Sequence, residues 1–522
     1  MSPHLPSFVV AAYFACMIVV TLRSARRDTT SNSFLNATAS LPTWVVTISF
    51  LAANCGALEI IGLSGIAARY GVQAFHFYWI GAIPAMVFVS FVMLPIYQQS
   101  GVRSVPEYLE RRFGRRVRLL NALSLLVSTC LTAGISLYAL SEILHVFAGW
   151  RFTVCALVTA SVVMINVTIG GIRATVRTEI LHFIVMVIGL APMLYLSVHL
   201  PARTVESWTT QRHLWRVTPL VSAHLPVDLI GVIFGLGIVI GFSYWCTDFL
   251  LMQRALGART PEAARQVPLY AGFGKLMFSF LVVLPVVLAG QSLKPSGAGA
   301  LDQTSPLLMH LLYNPQYLVV GILALVASLM TALGGNVSAF ASLWTQEIYR
   351  SWLEPDKSEQ HYIFVGRIAS VVCLSLSVAS AYATLRFESL SQFMLLIFSL
   401  TMVPFFAVVL IGLSSRRRSA NGAFAAALCG IASGGLTQVA YRMHWLHLGS
   451  DLSANFYTAL VSFSAALVVG IFGKVLFSGG ERIPSDLQAK PALQPIQRTS
   501  ITLYVLAALL LACCVILNVI WS

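Results

Sequence analysis

Hydrophobic runs long enough to cross a bilayer alternate with short polar segments along nearly the whole chain. A transmembrane helix needs about 20 mostly apolar residues, so the pattern predicts fourteen spans. They lie at residues 5-22, 43-69, 76-98, 119-146, 153-169, 179-199, 227-252, 268-290, 317-344, 362-384, 388-413, 421-441, 453-476 and 500-521. The predicted fold class is therefore an all-α polytopic membrane protein.

The second span carries polar and glycine residues at its centre, where a plain membrane helix would be apolar. Within residues 43-70 these include Asn54, Gly56 and Glu59. We predict that the helix opens between residues 52 and 58, which frees carbonyl groups and half-helix ends to hold a cation or a polar solute. A carboxylate at bilayer depth is costly and faces a cavity or a partner. The alternative is that Asn54 and Glu59 only join helices through buried hydrogen bonds.

The seventh span shows a second glycine-interrupted pattern. In residues 227-252, four glycines between 231 and 241 precede Tyr244, Trp245 and Asp248. Two interrupted helices five spans apart predict a five-plus-five inverted repeat, in which both helices line one site at the membrane midplane. The alternative is that Tyr244 and Trp245 are interfacial aromatic residues.

Two further spans add chemistry to this picture. Lys275 lies seven residues past the start of the eighth span, where it either snorkels to the interface or pairs with Asp248 or Glu59. Ser328 and Thr331 are three residues apart in the ninth span and share one helix face. They serve either helix packing or the binding of a sodium ion, which prefers neutral oxygen ligands.

Composition and charge support a membrane protein and exclude several other classes. The chain has 522 residues, is 57% hydrophobic and only 10% charged, and has a mean hydropathy of +0.81. Its net charge of +14 arises from clusters such as the six arginines between 103 and 118, which indicate topology rather than nucleic-acid binding. Loops with such clusters alternate with loops that are poorer in basic residues, and the basic loops are expected on the inner side of the membrane. With fourteen spans in a plasma or inner cell membrane, we therefore expect both termini to lie outside. The nine cysteines lack metal-ligand spacing, and no nucleophile-base arrangement indicates an enzyme.

Five passages, in spans two to nine, resemble the sodium/solute symporter family and are nearest to its sodium/glucose cotransporter branch. They are AANCGALEIIGLSG at 52-65, PIYQQSGVRSVPEYLERRFG at 95-114, GGIRATVRTEILHF at 170-183, YWCTDFLLMQRALGAR at 244-259 and ASLMTALGGNVSAFASLWTQEIY at 327-349. The resemblance implies a leucine-transporter-like fold, with the inverted repeat in spans two to eleven. It also implies uptake of a solute driven by a sodium gradient through alternating access.

The resemblance also implies a sodium site where the second and ninth spans meet. Its ligands would be carbonyl or side-chain oxygens at Ala52, Cys55, Ser328, Thr331 and Ala332. Ala332 departs from the family, which usually has a hydroxyl residue there, so one oxygen ligand is missing. Glu179 matches an aspartate that is associated with a second cation site in some members, and it is a possible second cation or proton site.

The implied solute site departs further from that of sugar transporters. Its candidate residues are Asn54, Glu59, His76, Tyr78, Trp79, Tyr244, Trp245, Lys275 and Phe398. Glu59 replaces a histidine, while Trp79 and Phe398 stand near positions that carry an acid and a glutamine in sugar transporters. A carboxylate among aromatic rings would suit an amine through ion pairing and cation-π contact. If Glu59 instead pairs with Lys275, the pocket is neutral and suits a modified sugar or a nucleoside.

The leading hypothesis is a sodium-coupled symporter of a small polar organic solute, formed as one transmembrane domain over residues 1-522. The inverted-repeat core would span 43-413, between an N-terminal helix in 1-42 and C-terminal helices in 414-522. One alternative keeps the transporter but lets Glu59 or Glu179 carry a proton in place of sodium. Another is a membrane sensor that binds solute without moving it. We expect sodium and solute as the ligands, with no organic cofactor, nucleic acid or obligatory protein partner.

Overall fold

The described part of the protein is helical. The computed structural model describes residues 5–25, 41–200, 227–289, 300–384, 389–414, 419–476 and 500–521. Through the first half of the chain the α-helices are α1 (Leu5–Ala25), α2 (Thr43–Asn54), α3 (Leu63–Tyr70), α4 (His76–Trp79), α5 (Ile83–Phe88), α6 (Leu94–Gln99), α7 (Val105–Phe113), α8 (Arg115–Ala148) and α9 (Phe152–Val198), which is kinked at Gly171 into two spans. Short π-helical stretches at Leu58–Gly62 and Val89–Met93 and a 3₁₀ turn at Gly71–Phe75 join some of them.

The second half continues the same architecture. Its α-helices are α10 (Phe242–Thr247), α11 (Phe249–Leu256), α12 (Pro261–Ala289), α13 (Thr304–Leu312), α14 (Pro315–Ser342), α15 (Glu359–Thr384), α16 (Leu390–Thr401), α17 (Val403–Ser414), α18 (Ala420–Arg442), α19 (Asp451–Leu476) and α20 (Ile501–Ile520). A π-helical stretch at Gly231–Gly241 leads into α10, another at Leu343–Leu353 extends α14, and a 3₁₀ turn at Ala300–Gln303 precedes α13.

The helices that can cross a membrane match the hydrophobic runs. Among the described residues, eleven helices are long and apolar enough to span, or twelve if a bent pair is counted as one span. Two shorter apolar helices lie at Phe8–Arg23 and Thr43–Asn54. The prediction of a multi-pass all-α membrane protein is confirmed, while the count of fourteen spans stays a prediction.

The second span is broken within the predicted segment. Helix α2 ends at Asn54, and helical structure resumes at Leu58. Gly56 lies in the break and faces α14, where a Cβ on Gly56 would come within 2.5 Å of the Ala332 Cβ. A glycine is therefore required at this close approach, which brings the broken helix directly onto α14.

The second interruption lies at Asp248, beyond the glycine run that we expected to interrupt the helix. Helical residues Gly231–Thr247 and Phe249–Leu256 meet there at an angle of 53°. Asp248 has an extended backbone, and its side chain accepts a hydrogen bond from Leu251 N at 2.9 Å, which caps α11. The glycines serve close packing instead, since a Cβ on Gly241 would meet the Gly81 carbonyl oxygen at 2.3 Å.

Candidate solute and cation sites

A central cavity lies between the two broken helices. The space there that protein atoms leave empty is about 880 Å³, including the part that is open to solvent. Its walls come from α2, the π-helical segment after it, α8, α10, α14 and α16. Of the predicted solute residues, Asn54, Glu59, Tyr244, Trp245 and Phe398 line it. The cavity is the natural place for a solute because it combines largely apolar walls with a few polar groups, as small-molecule sites commonly do.

The acid and the base of the predicted pocket are paired with each other. The Lys275 ammonium donates to Glu59 Oε1, and the lysine side chain is only 1% exposed. Its nitrogen also lies 5.2 Å from the Tyr78 ring centroid and 5.6 Å from that of Trp245. Lys275 therefore neither snorkels nor pairs with Asp248. It neutralises Glu59 at the cavity wall.

Aromatic rings and one amide form the wall beside this ion pair. The Tyr244 ring lies 5.0 Å from the Phe398 ring and 5.4 Å from the Trp245 ring, between centroids. Asn54 Nδ2 donates to the Tyr244 hydroxyl at 2.7 Å, while Asn54 Oδ1 is buried without a hydrogen-bond partner among the described residues. This wall can hold a flat ring and offers an acceptor to a donor group on it.

The remaining predicted solute residues lie behind the cavity wall. Neither His76, Tyr78, Trp79 nor Lys275 is among the described residues that line the cavity. Trp79 is buried against Phe75, with ring centroids 4.6 Å apart, and its indole nitrogen donates to Ser279 Oγ at 3.2 Å. The rotation of the helix about its axis turns this side chain away from the solute space. The sequence does not reveal this rotation, because the span is apolar on all faces.

The predicted sodium ligands come together where α2 ends against α14. Ser328 Oγ donates to the Cys55 carbonyl at 2.6 Å, and Thr331 lies one turn further along α14. The Thr331 hydroxyl bonds the Ala327 carbonyl at 2.9 Å, while Ala332 packs on the break and contributes no side-chain oxygen. Ser328 and Thr331 thus place two side-chain hydroxyls at this junction, oxygen being the atom that a hard cation such as sodium prefers, while Ala332 supplies none.

A histidine that we did not single out contacts this cluster. His182 Nδ1 lies 2.6 Å from Thr331 Oγ1, and Nε2 lies 3.2 Å from Met17 Sδ. His182 is 1% exposed and reaches the cluster from α9. Its ring fixes the Thr331 hydroxyl. A signal was present in the sequence, because an ionisable residue inside a hydrophobic span is rare.

Glu179 is held in a separate buried ion pair. Its Oε1 accepts from Arg254 Nη2 at 2.8 Å, its Oε2 accepts from Ser49 Oγ, and both charged side chains are 1% exposed. Arg254 also donates to Gln253 at 2.8 Å, and Gln253 bonds Ser342. The charge that would attract a second cation is therefore already balanced in this conformation.

A hydroxyl stripe on α8 also lines the cavity and was not singled out in the sequence. Ser128, Thr132 and Ser136 follow one another at intervals of four residues and share one face of the helix. The four-residue spacing of these hydroxyl residues is present in the sequence, but other hydroxyl residues on α8 hide it. Only the packed structure shows which of these hydroxyls reach the cavity.

The 3₁₀ turn Ala300–Gln303 and α13, called here the docked loop, contact the π-helical stretch Leu58–Gly62 and the start of α16. Ser305 Oγ donates to the Ile60 carbonyl at 2.8 Å, and Leu390 N donates to the Asp302 carboxylate at 3.1 and 3.2 Å. The Asp302 carboxylate thus caps the start of α16 from another element. Burial raises the pKa of Asp302 to about 7, although hydrogen bonds from Leu390 and Ser389 oppose the shift.

This raised pKa predicts a pH-dependent docking of the loop. Because the docked state binds the Asp302 proton more tightly than the exposed state, docking is favoured below the ordinary pKa of 3.8 and weakens as pH rises through about 7. We expect the amides of Thr304–Leu312 to be more protected from hydrogen exchange at pH 5 than at pH 8, after correction for intrinsic rates. Asp302→Asn should abolish the difference. His310→Gln should retain it, because it changes a different titratable residue that lines the same small pocket as Asp302.

Comparison with known sequences finds one matching family model and relatives that are named as sodium cotransporters. The model of the "Sodium:solute symporter family" matches residues 34–430. The sodium/mannose cotransporter SLC5A10 of Bos taurus is 28% identical over 480 residues, covering 84% of this chain and 79% of the relative. The sodium/glucose cotransporter of Vibrio parahaemolyticus is 27% identical over 456 residues, covering 80% of this chain and 81% of the relative.

Comparison with solved structures bears on the fold. The substrate-bound, outward-open structure of a Na⁺-coupled sialic acid symporter has a TM-score of 0.78 to this chain at 18% identity. The match covers 92% of this chain and 99% of that structure. The predicted leucine-transporter-like fold class is confirmed.

Proposed function

Because this chain belongs to the sodium:solute symporter family, we propose that it is a secondary active transporter for a small neutral polar solute. Sodium moving down its gradient drives solute uptake across the cell membrane by alternating access. The curated relatives described above are named as cotransporters, which supports transport rather than catalysis. The ligands of the proposal are sodium and the solute, with no organic cofactor.

The observation that carries sodium coupling is the oxygen cluster at the break in the second span. The Cys55 carbonyl, Ser328 Oγ and Thr331 Oγ1 come from two elements that pack closely together at Gly56. A cation bound there would join the broken helix to α14 and stabilise one conformation relative to the other. Such differential binding lets a sodium gradient bias the cycle.

The Glu59–Lys275 pair supports a neutral solute over a cationic one. A cation would have to compete with a buried ammonium that already binds Glu59. Asp248 also lines the cavity, but its carboxylate is engaged at the N-terminus of α11. The charge of Glu59 is balanced by Lys275 and the Asp248 carboxylate is held by a backbone hydrogen bond, so aromatic stacking and neutral hydrogen bonds are the main means of recognition in this proposal.

The test is solute uptake into liposomes that contain the purified protein, under an inward sodium gradient. Thr331→Val should raise the apparent sodium constant about 10- to 100-fold, because a hydrogen-bonding or ligand oxygen on a charged group contributes about 1.5–3 kcal/mol. Ala332→Ser should lower the constant, because it adds a side-chain oxygen at a position where the alanine supplies none.

The matched control is Thr384→Val, a buried threonine of α15 that also bonds its own helix, to Ser380 O at 2.9 Å. It should leave sodium activation unchanged. A Thr331→Val protein with wild-type sodium activation would contradict the cation site. Uptake that follows a pH gradient and ignores replacement of sodium would favour the proton-coupled alternative. Binding without accumulation would favour a sensor.

We further propose that residues 43-413 form the moving inverted-repeat core, with 1-42 and 414-522 as peripheral helices. Glu179 then serves as a buried ion-pair partner of Arg254 in this conformation, and it can hold a second cation or a proton only if Arg254 moves away. Both termini are proposed to lie outside. Cysteine labelling of residues near each terminus in intact cells would test this orientation.

A further inference from the structure

The first helix, α1, packs one of its faces against α9. Tyr13, Met17 and Thr21 follow one another on this face at intervals of four residues, and each is at most 9% exposed. The Tyr13 ring lies 5.9 Å from the His182 ring, between centroids. Thr21 Oγ1 bonds Asn166 Oδ1 of α9 at 3.1 Å. Met17, between them, contacts His182, so α1 reaches the side chain that bonds Thr331 in the cation cluster.

His182 lies between a thioether and a hydroxyl group. Its Nε2 lies 3.2 Å from Met17 Sδ, and its Nδ1 lies 2.6 Å from Thr331 Oγ1. A thioether sulfur can only accept a hydrogen bond, so Nε2 carries the proton that faces Met17. In a neutral imidazole the other nitrogen is then an acceptor, which makes Nδ1 the acceptor for the Thr331 hydroxyl.

The surroundings of His182 favour the neutral ring. His182 and Met17 are each 1% exposed. Glu179, one turn earlier on α9, is engaged by Arg254 and Ser49. Among the described residues, no acid bonds the imidazole, and a buried imidazolium without an acidic partner would be costly. The choice left to the ring is therefore between its two neutral tautomers.

This choice decides how many lone pairs Thr331 Oγ1 keeps. The hydroxyl has one proton and two acceptors within reach, His182 Nδ1 at 2.6 Å and the Ala327 carbonyl at 2.9 Å. If Nδ1 carried a proton, it would donate to Oγ1 and occupy one of its two lone pairs. With the proton on Nε2, the hydroxyl donates to Nδ1, and both lone pairs remain for other partners.

We propose that Met17 and His182 are positioning residues of the cation site, in which Met17 selects the tautomer of His182 that leaves both lone pairs of Thr331 Oγ1 to a sodium ion. Neither residue contacts the ion in this arrangement. The assignment rests on the proposed sodium site and deepens it. It makes α1, which lies outside the predicted inverted repeat, a determinant of sodium affinity.

The test is the rise in melting temperature of the detergent-purified full chain as sodium replaces potassium at constant total salt. This rise gives an apparent sodium dissociation constant without solute or transport. Met17→Leu keeps an apolar side chain of similar size but removes the sulfur acceptor. It should raise the constant about three- to tenfold, the usual effect of a neutral hydrogen bond, and should change the melting temperature in potassium little.

Variants of His182 separate positioning from packing. His182→Leu should raise the sodium constant at least as much as Met17→Leu. His182→Gln should stay close to the wild type, because an amide oxygen can accept from Thr331 while the amide nitrogen donates to Met17. Since Met17 acts through the imidazole, the double variant Met17→Leu with His182→Leu should bind sodium no more weakly than His182→Leu alone.

Met193→Leu is the matched control. Met193 lies on α9 and is also 1% exposed, so the change removes an equally buried thioether. It should leave the sodium constant unchanged. An equal increase in Met193→Leu and Met17→Leu would overturn the proposal, as would a wild-type sodium constant in Met17→Leu. Additive increases in the double variant would also overturn it, because they would show that the two side chains act independently.

Failure of the sodium site and failure of the positioning residues give different results. Wild-type protein that sodium and potassium stabilise equally would overturn the sodium site, and the positioning role with it. Sodium-specific stabilisation that is lost in Thr331→Val but unchanged in Met17→Leu and His182→Leu would keep the site and overturn the positioning role alone. Sodium stabilisation that is weakened in all three, with His182→Gln as the wild type, is the result that we expect.

Discussion

Lys275→Met is expected to lower the free energy of unfolding in detergent by about 3–5 kcal/mol, because it leaves the Glu59 carboxylate buried without its ammonium partner. The lysine side chain is 1% exposed and the glutamate side chain 10% exposed, so water cannot readily take the place of the lost partner. Thermal or denaturant unfolding of the purified protein measures the effect. A second readout is solute binding, which should weaken because the cavity wall then carries an unbalanced charge.

The double variant Glu59→Gln with Lys275→Met separates pairing from packing. Removing both charges should recover most of the lost stability, since a buried ion pair contributes little net stability relative to neutral side chains of similar size. A double variant as unstable as Lys275→Met would show that the lysine acts through packing on Tyr78 and Trp245 instead. If Lys275→Met gained affinity for an organic amine such as choline, Glu59 would be shown to bind a cation once it is freed.

Arg254→Met is expected to have a comparable effect at the second buried pair. Glu179 and Arg254 are each 1% exposed and bond at 2.8 Å, so loss of the guanidinium should cost about 3–5 kcal/mol of unfolding free energy. Glu179→Gln combined with Arg254→Met should recover most of it. The exposed pair of Arg350 and Glu359 is the matched control, and Arg350→Met should change stability by about 1 kcal/mol or less.

The same variants test whether Glu179 holds a cation when its arginine is absent. If Glu179 acts only as a pairing residue, sodium and potassium should stabilise Arg254→Met equally. A sodium-specific rise in its melting temperature would instead show that the freed carboxylate binds sodium, because a ligand that binds the folded state stabilises it by mass action. Uptake that retains its wild-type sodium dependence in Glu179→Gln would argue against a second coupled cation there.

Much of the fold could be predicted from the pattern of the chain. Long apolar runs are required wherever a helix crosses lipid, so the positions of the spans can be predicted from the sequence. The break at Gly56 was also readable, because a glycine, an amide and an acid occur together at the centre of one run. The second break was placed less well, since glycines 231–241 allow close packing while the capping side chain of Asp248 ends the helix.

The candidate site was predictable only in part, because sequence does not fix the rotation of a helix that is apolar on all sides. Trp79 was predicted in the solute site but turns towards Phe75 and Ser279, away from the cavity. Ser128 lies among several hydroxyl residues of α8, and nothing in the sequence marks it as the one without a partner. Helix faces in membranes are chosen by packing against neighbours, which the local pattern does not record.

The sequence by itself determined that this is a polytopic helical protein with an opened second span and a hydroxyl-bearing ninth span. It also showed the sequence motifs of one symporter family. Those properties depend on apolar length, on local backbone breakers and on residues close together in the chain. Only the tertiary structure decided that Lys275 pairs with Glu59, 216 residues away, and that Arg254 pairs with Glu179. A buried charge takes the partner that packing brings within reach, so the ionic character of the cavity depends on the fold as a whole.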